Sequence, residues 1–197
     1  MRLTVDDAQQ CIRLLSELDL FYTQIGKPVN IDDSMNASQV RAVIRSAWSR
    51  MRNFCNKYIG FNREKLSEED IQVIKQWNTS IESRFVALKH YEEYTILYSI
   101  KDEAYYGVIT LQDKFTDIVT QTLPAVIETR LFPYKDCVIW DGFVAIYDED
   151  ILDGASQFIQ KLLEECEFAR DHELVITQLN DLNANQEKKI FLNCKRI

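Results

Sequence analysis

Apolar residues recur at three- and four-residue intervals from Ala8 to Phe21 (Ala8, Cys11, Ile12, Leu14, Leu15, Leu18, Phe21), the spacing that lines one side of an α-helix. Thr4, three residues before Asp7, predicts a capping box at its start, in which hydroxyl and carboxylate each satisfy a backbone N–H of the first turn. Gly26-Lys27-Pro28 predicts its end. A polar stretch leads into a second predicted helix over 38–58, with Val40, Val43, Ile44, Ala47, Trp48, Met51, Phe54, Cys55 and Tyr58 on one side and Gly60 as its stop. Ser67-Glu68-Glu69-Asp70 is another capping box. It opens a third helix through Ile71, Ile74 and Trp77 to about Ile81.

Beyond residue 84 the period changes. Residues 85–90 and 94–100, the latter rich in β-branched and aromatic side chains, predict strands, and 101–104 separate the second from a strand over 105–109 at hairpin spacing. A short amphipathic helix over 112–121 stops before Pro124. Then come a strand over 126–132, a turn over 133–136, a strand over 137–140, an Asp141-Gly142 turn and a strand over 143–147. Asp-Gly between two apolar runs predicts a tight hairpin, because both turn positions tolerate positive φ. Asp148-Glu149-Asp150 places negative charge at the start of a helix to about Ala169, followed by a short helix to Leu179. The pattern predicts an α+β fold: N-terminal helices, a central antiparallel β-sheet of about five strands, and C-terminal helices. The corresponding organisation is a helical region over 1–65, an α+β core over 66–179 and a polar, basic tail over 180–197, all within one compact domain.

Composition supports a folded core, with 46% hydrophobic residues, 27% charged, 5 Gly and 3 Pro. The 31 acids against 23 bases give a net charge of −8, a global field that repels nucleic acid and anionic membranes. The five cysteines (Cys11, Cys55, Cys137, Cys166, Cys194) are odd in number and scattered, with no CxxC, so reduced thiols are expected. The first ten residues carry two acids and no apolar run, and no window approaches a membrane span, so the expected location is cytoplasmic.

Few residues point to chemistry. His90 and His172 have no second ligand at metal spacing, and neither a metal nor a cofactor is expected. Asp148-Glu149-Asp150 with Asp153 lacks the spacing of a calcium loop and reads as helix-start charge. There is no GxSxG, GxGxxG or GxxxxGK[ST]. Cys137 and His90 both fall on predicted strands, where a remote pair can meet, although a core thiol is the favoured role for Cys137. Tyr91, Tyr94, Tyr98, Tyr105 and Tyr106 surround the first hairpin and read as cross-strand aromatic pairs. One charge anomaly stands out. Between Asn36 and Lys65 lie seven basic residues against Glu64 alone, a local +6 in a chain of −8. Arg41, Arg45 and Arg52 lie close to one stripe of the second predicted helix, where they suit an acidic protein partner, RNA or anionic lipid, or pair with acids of the same fold.

Residues 54–179 hold Leu66-Ser67-Glu68-Glu69, Tyr105-Tyr106-Gly107-Val108, Leu123-Pro124 and the run from Leu131 to Gly142, LFPYKDCVIWDG. These stretches resemble an uncharacterised family of bacterial conserved hypothetical proteins, whose hallmark is L-x-P-[FY]-K-x-x-[IV]-I-[YW]-D-G. Trp140 stands where Tyr is the expected aromatic of the hallmark, and residues 148–156 replace the family's glycine-bearing segment. The resemblance implies that 54–179 is one evolutionary unit with the sheet at its middle, and it implies no activity. Within the hallmark, Pro133 and Asp141-Gly142 have sufficient reason as turn formers. The functional alternative is that Lys135, Asp136 and Asp141 converge on one polar site. The expected function is therefore a non-enzymatic interaction or regulatory module with a protein partner. Small-ligand binding or hydrolysis at the 133–142 turns is the alternative, and RNA contact through helix 38–58 the second.

Overall fold

The computed structural model describes residues 3–25, 29–147 and 156–171. The chain divides into two compact units, residues 3–80 and residues from Ile81 onward.

The first unit is helical: α1 (Val5–Gln24), α2 (Ala37–Ser49), α3 (Phe54–Asn62) and α4 (Glu68–Gln76). The capping boxes at Thr4/Asp7 and Ser67/Asp70 are present, and Asn36 with Gln39 forms a third at α2. The single helix expected over 38–58 is instead two helices. Residues 50–53 break it, and Asn53 adopts φ 62°, a left-handed conformation that asparagine tolerates. The break lets Trp48 of α2 stack on Phe54 of α3, with ring centroids 5.4 Å apart. Gly60 does not stop α3, which continues to Asn62. The third helix ends at Gln76. A 3₁₀ turn over Trp77–Thr79 follows, and Ile81 begins a strand rather than closing a helix. The core consists of Cys11, Leu14, Leu15 and Leu18 from α1, Trp48 from α2, Phe54 and Cys55 from α3, and Ile71 and Ile74 from α4. The predicted apolar stripes are thus the buried faces.

The second unit contains β1 (Ile81–His90), β2 (Thr95–Ser99), β3 (Ala104–Thr110), α5 (Phe115–Ile118), β4 (Ala125–Tyr134), β5 (Cys137–Ile146) and α6 (Ser156–Asp171). The five strands form a closed barrel in the order β1-β2-β3-β5-β4. The expected all-antiparallel sheet is corrected on this point: β3 and β5 run parallel, through Val108↔Val138 to Thr110↔Trp140, and the sheet closes on itself. Closure depends on the long β1, which pairs with β2 from Phe85 to His90 and with β4 from Ile81 to Ala87. A register shift between Ala87 and Lys89 bends it between the two partners.

Asp141-Gly142 forms no hairpin. It lies inside β5, where the register jumps from Leu131↔Trp140 to Thr129↔Val144, so that 141–143 oppose Arg130 alone. Gly142 has φ +86°. The positive φ foreseen for a turn is used to bulge and bend a strand, the same backbone freedom in a different place. The turn between β4 and β5 is Lys135-Asp136, and Pro133 belongs to β4.

Alternate residues fill the barrel: Phe85, Ala87, Leu97, Tyr106, Val108, Ile127, Leu131, Val138 and Trp140. The helix expected over 112–121 is the single turn α5, whose Phe115 enters this core against Trp140, with centroids 5.0 Å apart. The opposite faces of β1, β2 and β3 carry Val86, Leu88, Ile96, Tyr98 and Tyr105, which pack with Leu162 of α6. Tyr98 and Tyr105 pair across strands at 4.9 Å as expected, Phe158 meets Tyr98 edge-on, and Tyr105 Oη donates to Glu165 at 2.8 Å. The expectations for Asp148–Asp150, Asp153, His172, Cys194 and the tail over 180–197 lie outside the described residues. Among the described residues, no helix is long and apolar enough to cross a membrane.

Candidate functional site

Arg41, Arg45 and Arg52 do not form one stripe. Arg45 is buried, donating from Nη2 to Asp19 Oδ2 at 2.6 Å, while Trp48 Nε1 donates to Asp19 Oδ1 at 2.7 Å. Arg41 is exposed on α2, and Arg52 is exposed in the break at 50–53. The break turns the chain between them, and the middle cation is used inside the fold.

Lys135, Asp136 and Asp141 are not brought to one point. Lys135 and Asp136 form the β4–β5 turn, with Lys135 at φ 52° and its ammonium over the Tyr134 ring at 5.2 Å. Asp141 stands in the bulge at the far end of the 137–140 stretch, roughly 15 Å along the strand. Its Oδ1 accepts from Phe143 N–H at 3.2 Å, which holds the bulge. Cys137 and His90 lie on strands that do not pair with each other. Cys137 starts β5 beside Tyr134, where its thiol donates to the Tyr134 carbonyl, whereas His90 ends β1. The hallmark run therefore builds one turn, one bulge and, through Leu131, Val138 and Trp140, part of the barrel core.

Two places missed by the sequence patterns have site-like geometry. The first is a groove of about 270 Å³ on the helical unit, lined by Glu17, Leu20, Phe21, Tyr58, Asn62 and Lys65, among others. Beside it, Phe61 is 79% exposed and Leu20 58% exposed, and Phe61 packs against Phe21 at 5.6 Å. Its polar wall ends a network across three helices. Asp70 accepts from Gln10 and Arg13, Arg13 also pairs with Glu17, and Tyr58 Oη donates to Glu17 at 2.5 Å. Burial pushes the Tyr58 phenol up, and the Glu17 carboxylate that accepts its proton adds to the shift, so Tyr58 stays a neutral donor. Leu20 was legible as an apolar residue off the α1 stripe.

The second is a cleft of about 320 Å³ at the α5 end of the barrel. Val108, Thr95 and Phe115 form its floor, His90 a wall, and Glu92, Glu93, Thr110 and Lys114 its rim. His90 Nδ1 is hydrogen-bonded to Thr95 Oγ1 at 2.8 Å, and its ring lies nearly parallel to Phe115 at 6.4 Å. Nothing in the spacing of these residues announces a site, since they come from the β1–β2 hairpin, the end of β3 and the start of α5. Among the described residues, no group of three or more His, Cys, Asp or Glu side chains is arranged to hold a metal ion. No family model, curated protein or solved structure matches the chain.

Proposed function

We propose that the chain is a non-enzymatic interaction module of regulatory type, working in the cytoplasm, with its partner-binding surface on the helical unit around Leu20 and Phe61. The observation that carries this reading is the pair of large apolar side chains held in water on either side of Phe21, next to a polar-walled groove. Such a patch gives a protein partner an apolar anchor with a polar rim. The exposed Arg41 and Arg52 favour a partner with acidic groups. The test is a pull-down from native extract with the wild-type chain and the Leu20→Ser/Phe61→Ser double variant. The double variant is expected to lose a saturable partner while keeping its far-UV spectrum and melting temperature. Undiminished capture of every partner would overturn the reading.

In finer terms, the strand order, the parallel β3–β5 pair and the helix between β3 and β4 resemble an OB-type barrel, a scaffold for binding rather than chemistry. In such barrels the β2–β3 face is the usual binding surface. Here its tyrosines, Tyr98 and Tyr105, are covered by α6, with Glu165 bonded to Tyr105. This favours a protein partner on the helical unit over RNA on the sheet.

A further inference from the structure

We propose that the cleft at the α5 end of the barrel binds a small zwitterion of the α-amino acid class, with the ammonium toward Glu92 and Glu93, the carboxylate toward Lys114 and the side chain on the Val108–Phe115 floor. The inference rests on charges that share a cavity without meeting. Glu92 and Glu93 come from the β1–β2 turn and Lys114 from the segment before α5, so opposite charges reach one cleft from separate elements. Among the described residues none of the three makes an ion pair, with one another or with any other group. A gap wider than a salt bridge therefore separates them, and a ligand that carries an ammonium and a carboxylate on one carbon can meet both sides of it.

The rest of the cleft fits the same ligand. A volume of about 320 Å³ is at the lower end of small-molecule sites, the size of a single metabolite rather than a nucleotide. The floor is apolar and rigid, since Val108 and Phe115 belong to the barrel core. His90 is held twice, by Thr95 through Nδ1 and by the Phe115 ring, so Nε2 has a fixed direction and no partner among the described residues. A held ring with a free nitrogen is a ready hydrogen-bonding group. A phosphate or dicarboxylate would meet two glutamates against one lysine, and a simple amine would leave Lys114 unused. The proposal is independent of the helical-unit surface, because every lining residue belongs to the barrel unit.

The test uses the full chain in thermal-shift and calorimetric titrations against the common L-α-amino acids, each up to about 10 mM. At least one should raise the melting temperature saturably, and its decarboxylated amine and its deaminated acid should each bind about tenfold or more weakly. Lys114→Ala should weaken the amino acid about tenfold and leave the amine unchanged; Glu92→Gln/Glu93→Gln should do the converse with the acid. All three side chains are exposed and tolerate the change, and a far-UV spectrum checks the fold. The proposal is overturned if no amino acid binds saturably, if the amine or acid binds as well as the amino acid, or if both variants bind like wild type.

Discussion

Arg45 and Asp19 form a buried ion pair 26 residues apart in sequence, at 2.6 Å, with the Trp48 indole on the second carboxylate oxygen. Removing one partner of such a pair leaves the other charged and desolvated, which costs about 3–5 kcal/mol. Arg45→Glu, which also sets a second carboxylate against Asp19, should therefore lower stability by at least that amount. Arg41→Glu, on the exposed side of the same helix, should stay within about 0.5 kcal/mol. Urea denaturation of the two variants separates them. A loss below about 1 kcal/mol for Arg45→Glu would refute the buried pair.

Asp70 links acid stability to the helical unit. Burial alone pushes its carboxyl up, but hydrogen bonds from Gln10, Ser67 and Arg13, with the Arg13 charge, outweigh burial and hold it below the ordinary value. A folded-state pKa below the unfolded one contributes stability that is fully present above the unfolded value, about 3.9, and is lost as pH falls through the folded one. Asp70→Asn should thus flatten the acid limb of the stability–pH profile below about pH 4. Chemical denaturation at a series of pH values measures it, and identical limbs in the two proteins would count against the linkage.

Two glycines should respond to alanine with opposite sign. Gly142 sits at φ +86° in the β5 bulge, and a Cβ there meets only the end of Ile118 at 3.4 Å, so the backbone sets the cost, about 1–2 kcal/mol. Gly60 lies within α3 with nothing near its Cβ position, and Gly60→Ala should stabilise by about 0.5–1 kcal/mol. Thermal melts of the two variants should move in opposite directions.

Cys55 and Cys137 should differ in reactivity. Burial pushes the Cys55 thiol up to about 12, so thiolate is scarce at neutral pH and the sulfur is also inaccessible. Cys137 is only half-buried in its strand. Iodoacetamide labelling read by peptide mass spectrometry should modify Cys137 first and Cys55 only when the chain unfolds. Equal rates in the native protein would contradict this.

Local signals and long-range pairings were legible to different degrees. The α1 and α4 capping boxes and apolar stripes could be read directly, because both depend on residues within a few positions. The break at Asn53 could not, since Met51 and Phe54 continue the helical period across it and only tertiary packing of Trp48 on Phe54 selects the turn. Asp141-Gly142 announced positive φ correctly, but a bulge and a hairpin share that requirement. What decides between them is the β4 register, set by residues far away. The same holds for charge: Arg45 looks like a surface cation until Asp19, one helix earlier, is placed beside it. The barrel cleft draws on three separated segments, so no spacing could show it.

The boundary at Ser80 has a consequence for how the protein is made. Every helix of the helical unit has been synthesised by residue 80, whereas the barrel waits for β5, which joins β3 and β4 and ends only at residue 146. On the ribosome the helices can therefore assemble while β1 to β3 still expose open edges, so the nascent chain is most vulnerable to aggregation late, between the emergence of β3 and that of β5.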